Sequence, residues 1–126
     1  MTPTDPQSIA LQFNDYINAR DIDGLAQLMT DDHTFIDTAD NTIQGKQSCL
    51  AGWREFFHSF PDYKNIFETV TVKGPFVIMT GHSTCADHRL EGPALWTAKI
   101  RDEKVAAWRV YEDTADNRQR LHINDE

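Results

Sequence analysis

Two residues with side chains that can move a proton stand in or beside apolar segments. Asp37 directly follows Phe35 and Ile36, and His82 lies in a polar patch at 80–84 of a predicted strand that begins with the apolar residues 76–79. A carboxylate beside apolar walls has a raised pKa, which suits general acid or base catalysis near neutral pH. A histidine in such a place can protonate or hydrogen-bond a substrate. Asp37 and His82 are therefore the candidate catalytic residues.

Both residues also have a structural interpretation. Asp37 can cap the turn that Asp40 and Asn41 predict, because short carboxylates commonly accept backbone N–H groups in turns. His82 can face solvent or be satisfied by hydrogen bonds of the sheet. The sequence leaves these alternatives open.

No pattern in the sequence is typical of a metal or nucleotide site. The histidines show no i, i+4 pairing, and one histidine with one aspartate supplies too few ligands for a metal ion. No glycine-rich phosphate loop is present, so no cofactor is expected. Cys49 and Cys85 are far apart and lack a basic neighbour in sequence, which predicts small packing residues.

Composition limits the possible partners. The 126 residues are 40% hydrophobic and 25% charged, which predicts one globular domain over residues 1–126. A formal charge of −8 argues against nucleic acid and against an acidic membrane surface. No apolar run approaches the length of a membrane span, and Met1 is not followed by a signal-peptide pattern. We expect a cytoplasmic protein.

Apolar spacing predicts the elements that must position the candidate residues. Ile9, Phe13 and Ile17 recur every four residues and predict a first helix. A short second helix is expected to end at the acidic pair at 31–32, and a third begins near residue 45 and stops at Pro61. Everything after Pro61 is predicted as strand and turn. The predicted strands span residues 33–38, 66–73, 76–85, 93–101 and 105–111.

Three helices, an early strand and a later run of four antiparallel strands indicate an α+β fold. The apolar helix stripes need a partner, and a curved sheet supplies it. We therefore expect a cone-like, curved mixed or antiparallel β-sheet wrapped around three helices.

Four motifs occur in order along the chain. They are Arg-Asp-Ile-Asp-Gly-Leu at 20–25, Asp-Asp-His-Thr-Phe-Ile-Asp at 31–37, a helix led by Gly45 that carries Trp53, and Trp-Arg-Val-Tyr-Glu-Asp at 108–113. This order resembles the SnoaL-like domains of the nuclear transport factor 2-like superfamily, over roughly residues 7 to 120. Its relatives include ketosteroid isomerase, limonene-epoxide hydrolase and the SnoaL-type polyketide cyclases. The resemblance implies a cystatin-like cone around an apolar pocket, but the scaffold hosts many unrelated activities.

By that resemblance, Trp96 and Trp108 fall on positions that line the cavity. Strand alternation extends the set to residues two and four positions after Trp108 and before Asp37. The predicted ligand pocket consists of His33, Phe35, Trp53, Trp96, Trp108, Val110 and Glu112. The expected partner is a small, partly apolar molecule.

Comparison with two relatives disfavours their specific reactions. Asp37 matches the proton-shuttling carboxylate of ketosteroid isomerase-like members, but Phe13 and Trp96 stand where that enzyme has its oxyanion donors. In limonene-epoxide hydrolase-like members, a carboxylate that activates water occupies the position of Val110. A cyclase-type acid–base residue could still be supplied by Asp37 or His82.

Two functions from different classes therefore stay open. The first is a proton-transfer enzyme of isomerase, cyclase or dehydratase type, and the second is a non-catalytic ligand-binding or interaction domain. In either case we expect a homodimer, since Arg109 and Tyr111 face away from the pocket on the surface that often forms a dimer interface in this superfamily.

Overall fold

Four α-helices, one 3₁₀ turn and six strands follow one another along residues 5–123, the part of the chain that this computed structural model describes. In chain order they are α1 (Pro6–Ala19), α2 (Ile22–Leu28), β1 (Met29–Ile36), β2 (Thr42–Gln44), α3 (Lys46–Ser59), β3 (Lys64–Lys73), β4 (Phe76–Thr84), the 3₁₀ turn (His88–Leu90), β5 (Gly92–Arg101), β6 (Lys104–Glu112) and α4 (Ala115–Arg120).

The six strands form one mixed sheet in the order β2-β1-β6-β5-β4-β3. Neighbouring strands are antiparallel except β1 and β6, which run parallel and place Phe35 beside Trp108. Helix α1 packs against β3, β4, β5 and β6, and α3 packs against β1 and β2. The predicted curled sheet around helices is confirmed.

Helix α1 forms where its sequence carries both a cap and an apolar stripe. The Asp5 carboxylate accepts the N–H of Ser8 at 3.0 Å, and Pro6 occupies the first turn, where its missing N–H costs nothing. Ile9, Phe13 and Ile17 are fully buried, as the spacing predicts. The helix ends at residue 20, whose backbone is left-handed.

A β-bulge bends the edge of the sheet towards α1. The register of β3 on β4 shifts between Phe67 and Thr69, opposite Gly81. A Cβ at Gly81 would lie 2.0 Å from the carbonyl oxygen of Ile66, so only glycine permits this approach. The bulge turns Phe67 inward, where its ring lies 5.0 Å from that of Trp96.

The structure differs from the prediction at the start of β1. Helix α2 ends at Leu28, and β1 begins at Met29 rather than at residue 33. The reason is tertiary, because Met29 pairs with Val105 of β6 and is fully buried there. The acidic pair at 31–32 therefore lies within an exposed part of the strand and does not end the helix.

Helix α4 was not predicted, since residues after 113 were expected to be strand or turn. Thr114 caps it by accepting the N–H of Asn117 at 3.1 Å. The segment that follows lies against the sheet face opposite α1, where Leu121 lines a cleft together with Ile78 and Thr80. The Lys73 ammonium donates to the carbonyl oxygen of His122 at 3.2 Å. The C-terminal segment thus covers part of the outer face of the sheet.

Candidate functional site

A cavity of about 440 Å³ opens between α3 and the concave face of the sheet. It lies at the end of the sheet where β1, β4 and β6 terminate and where β3 and β5 begin. The lining residues come from all of these strands, from β2, from α3 and from the loop around the 3₁₀ turn. They are Phe35, Asp37, Thr38, Ile43, Cys49, Gly52, Trp53, Phe56, Tyr63, Asn65, Ser83, Arg89, Leu90, Glu91, Gly92, Pro93, Ala94, Trp96, Trp108, Val110, Tyr111 and Glu112.

One side of the cavity is an aromatic wall built mainly from α3. The Trp53 ring meets those of Phe35 and Phe56 edge-on, with centroids 5.5 Å and 5.8 Å away. Phe56 in turn meets Tyr63 at 4.9 Å. These edge-to-face contacts fix the rings relative to one another and leave an apolar surface of defined shape.

The opposite side carries Trp96 and Trp108, neither of which is exposed to solvent. Both indole nitrogens are buried and have no hydrogen-bond acceptor within residues 5–123. Buried N–H groups without a partner are uncommon in folded proteins.

Asp37 lies in the cavity lining, immediately after β1, and its carboxylate is already engaged. One oxygen accepts the backbone N–H groups of Ala39 and Asn41, both at 2.9 Å. The other accepts the side-chain amide of Asn41 at 3.1 Å. Asp37 therefore borders the cavity and also caps the β1–β2 turn. Its hydrogen bonds are those expected of a turn-capping residue.

His82 does not lie in the cavity, and the expectation that it shares one with Asp37 is wrong. Along β4 the side chains of Val77, Met79 and Ser83 point to the concave face, so His82 points to the outer face. Its ring contacts Glu68 at 3.2 Å, and its side chain is 42% exposed. The two candidate catalytic residues are on opposite sides of the sheet.

His33 is also misplaced by the sequence prediction, because it lies in the core beside the cavity and does not line it. It is fully buried, with its ring 5.6 Å from Phe13. Nδ1 lies 2.6 Å from the carbonyl oxygen of Val105, which can only accept, so Nδ1 carries the proton. Nε2 is buried without a partner in the described chain. Burial lowers the pKa of His33 and favours the neutral ring.

A buried polar cluster that the sequence did not reveal reaches the cavity through three of its lining residues. The Tyr63 hydroxyl lies 2.9 Å from the Ser83 hydroxyl, which is 3.1 Å from Oδ1 of Asn65. The side-chain amide of Asn65 donates to Asn14 of α1 at 3.2 Å. Burial raises the pKa of Tyr63, so its phenol is neutral. The cluster gives the cavity lining a fixed polar group.

The charged lining residues at the mouth are mainly acidic. Glu91 and Glu112 are exposed, and Asp37 is partly exposed. Arg89 also lines the mouth, but its guanidinium is bound to Asp87 at 2.6 Å. This ion pair holds the pKa of the Asp87 carboxyl at about 2. The mouth therefore repels anions more than neutral or cationic molecules.

Within residues 5–123, no three histidine, cysteine or acidic side chains come together as a metal site. In the same range, no helix is both long and apolar enough to span a bilayer.

Residues 10–108 match the family model of the SnoaL-like domain. This decides the family. The chain belongs to the SnoaL-like domain family. No curated protein sequence matches it significantly.

Solved structures show how widely this SnoaL-like fold is shared. A protein of Shewanella denitrificans OS-217, assigned as a SnoaL-like polyketide cyclase, is 19% identical with a TM-score of 0.76, over 94% of this chain and 98% of that one. A protein of Kribbella flavida DSM 17836, assigned as a ketosteroid isomerase, is 18% identical with a TM-score of 0.73, over 87% and 78%. A limonene-epoxide-hydrolase-like epoxide hydrolase of M. tuberculosis is 14% identical with a TM-score of 0.75, over 86% and 82%. At these identities the similarity shows the fold alone.

In this SnoaL-like domain, one feature of the sequence could have revealed the polar cluster. Alternation along β4 could not, because residues 76–79 are all apolar and the sequence does not show whether Ser83 or His82 faces the concave side. Asn14 stands on the apolar stripe of α1 beside Phe13, and a polar residue there needs a buried partner. No local signal marks Tyr63, since it lies in the turn after α3.

Proposed function

We propose that this SnoaL-like domain binds a small, largely apolar molecule in the cavity between α3 and the sheet. The observation that carries the proposal is the cavity itself, with a volume of about 440 Å³ and an aromatic lining. Ligand pockets typically have this size and combine apolar walls with a few fixed polar groups.

A titration with 2-methylnaphthalene, a flat apolar probe, tests this proposal. All three tryptophans of the chain line the cavity, so their indole N–H signals in a ¹⁵N–¹H NMR spectrum report binding there. We expect the probe to shift these signals with saturation. Signals that stay unchanged up to the solubility limit of the probe would contradict the proposal.

A matched pair of variants on β5 locates the binding. Ala94 lines the cavity and Thr97 lies on the outer face of the same strand. Ala94→Leu adds three carbons to the cavity wall and should weaken binding about tenfold or more. Thr97→Leu should leave the affinity unchanged. Equal effects of the two substitutions would mean that the probe binds elsewhere.

A proton-transfer reaction that uses Asp37 is the second candidate, and it is favoured by the position of this carboxylate in the lining. Isomerase and cyclase assignments among the structural neighbours belong to the same reaction class. His82 takes no part in this candidate. Asp37 would act as the base, with its turn contacts holding it in place.

Exchange of the α-protons of 2-tetralone in D₂O, followed by ¹H NMR, tests this candidate. If Asp37 acts as the base, exchange runs above the buffer rate for the unmodified protein and at the buffer rate for Asp37→Asn. Asn41→Ala is the control, because it removes a contact of the turn and keeps the carboxylate. Equal exchange rates for the unmodified protein and Asp37→Asn would exclude Asp37 as the base.

We further propose that two copies pair through the outer face of β6. Arg109 and Tyr111 are partly exposed on this strand, where Tyr111 also borders the cavity, and the guanidinium carbon lies 4.6 Å from the centre of the Tyr111 ring. Arg109 also donates to Asp40 at 2.6 Å, so the patch is ordered before association. Since the C-terminal segment covers the outer face near β4, the contact is confined to the strands around β6. Sedimentation of a monomer at micromolar concentration would contradict the dimer.

A further inference from the structure

The polar cluster behind the cavity begins at a group whose hydrogen-bond direction cannot be reversed. The backbone carbonyl oxygen of Asn65 can only accept, and the side-chain amide of Asn14 lies 3.3 Å from it. Asn14 must therefore turn its NH₂ group towards that carbonyl and its Oδ1 towards the Asn65 side chain. The Asn18 amide donates to the same carbonyl at 2.9 Å.

This starting point fixes the direction of each following bond. Because Asn14 presents Oδ1, the Asn65 side chain must donate its NH₂ group there, at 3.2 Å. Oδ1 of Asn65 then faces Ser83 and accepts its only hydroxyl proton, at 3.1 Å. Ser83 has no second proton, so Tyr63 must donate its own to the Ser83 oxygen, at 2.9 Å. A flip of the Asn14 or the Asn65 side-chain amide would bring two acceptor oxygens face to face in a buried place, which is costly.

We propose that the Tyr63 oxygen acts towards the cavity as a hydrogen-bond acceptor only, and that the site selects a ligand with an O–H or N–H donor at this end. The phenol proton is committed to Ser83, while the remaining lone pair of Tyr63 is left for the ligand. The ligand class is thus an alcohol, phenol or amine on an apolar frame. A ketone, aldehyde or enolate presents a second acceptor to Tyr63 and is disfavoured.

The charges at the mouth agree with this selection. Glu91 and Glu112 offer acceptors to a donor-bearing ligand and repel an anionic one. The inference rests on the proposed binding function and specifies its ligand.

Two probes of similar shape test it, 2-naphthol as the donor and 2-naphthaldehyde as the acceptor. The measured quantity is the ratio of their dissociation constants, aldehyde over naphthol, obtained from the indole N–H shifts. Comparing this ratio between variants cancels the general hydrophobicity of the probes. We expect Tyr63→Phe to lower the ratio about fivefold, the size of one neutral hydrogen bond.

Ser83→Ala tests whether Tyr63 is restricted to accepting a hydrogen bond from the ligand, and not only whether Tyr63 and the ligand form one. Without Ser83 the phenol proton is free to point into the cavity, so the ratio should fall by about tenfold or more, below that of Tyr63→Phe. Thr84→Ala, on the outer face of the same strand, is the control and should not change the ratio. Circular dichroism and urea unfolding establish that each variant is folded.

The outcomes distinguish failure of the donor selection by Tyr63 from failure of the proposed binding function. If both probes bind and all variants keep the ratio of the unmodified protein, Tyr63 does not select the donor and the inference is wrong, while the binding function stands. A ratio that rises in Ser83→Ala also overturns it. If neither probe shifts the indole signals, the proposed binding function fails, and the inference fails with it.

Discussion

Replacement of His33 by asparagine should make the stability of the protein less sensitive to mild acid. The ring is fully buried and donates from Nδ1 to the Val105 carbonyl, while Nε2 has no partner in the described chain. In His33→Asn the amide NH₂ can take the place of Nδ1–H and keep the bond to Val105. The substitution thus removes the titrating nitrogen and preserves the structural contact.

The sign follows from the direction of the pKa shift. Burial lowers the folded-state pKa of His33, partly opposed by the bond to Val105 and the nearby charge of Asp32. In the unfolded chain the pKa is about 6.5. Below that value the unfolded state binds a proton that the folded state does not, so stability is lost as pH falls from about 6.5 towards the lowered folded value.

One proton taken up on unfolding changes the free energy of unfolding by at most about 1.4 kcal/mol per pH unit. Between about pH 7 and about pH 5.5, the unmodified protein should therefore lose about 1 kcal/mol more than His33→Asn.

Urea unfolding followed by tryptophan fluorescence at both pH values measures this difference. His88→Asn is the matched control, because the His88 side chain is 89% exposed. The control should lose as much stability as the unmodified protein. The same loss in His33→Asn would refute the reasoning, since it would show that His33 is not held neutral.

Two further predictions concern packing. Trp108→Ala should lower the free energy of unfolding by about 3–5 kcal/mol, because this fully buried ring packs 4.8 Å from Phe13, and a loss below about 1 kcal/mol in urea unfolding would contradict it. Gly81→Ala should lower the free energy of unfolding by about 1–3 kcal/mol or more, because the added Cβ would lie 2.0 Å from the carbonyl oxygen of Ile66. Gly52→Ala, inside α3 with only an ordinary contact, should stabilise by up to about 1 kcal/mol, so equal shifts of the melting temperature would refute the distinction.

The fold was predictable from the sequence where local pattern and tertiary packing agree. The stripe Ile9, Phe13 and Ile17 faces the sheet in the structure just as its spacing requires. At Met29 they disagree, because the residue continues a helical pattern but pairs with Val105 far along the chain. Such long-range pairing leaves no local trace. Helix α4 was missed although Thr114 is a typical cap, because the helix is short and has no buried side chain.

For the candidate site, the sequence predicts several strand residues that face the cavity, but not the hydrogen-bonded groups within its lining. Strand alternation places Trp108 and Val110 on the cavity side, where they lie in the structure. Alternation within β4 does not decide the side of His82, because residues 76–79 are all apolar and either alternating set could face the core. The Tyr63 hydroxyl owes its position to contacts between separate strands and a helix. These follow from the assembled fold and not from residue spacing.

The parallel pairing of β1 with β6 has a consequence for the order of assembly. Phe35 lies beside Trp108 in the register, although one stands in the first third of the chain and the other near its end. On the ribosome, β1 leaves the exit tunnel long before its partner strand has been made. The nascent chain can form α1, α3 and the β3–β4 hairpin, but the apolar face of β1 stays uncovered until β6 emerges. The cavity wall is therefore among the last parts to close.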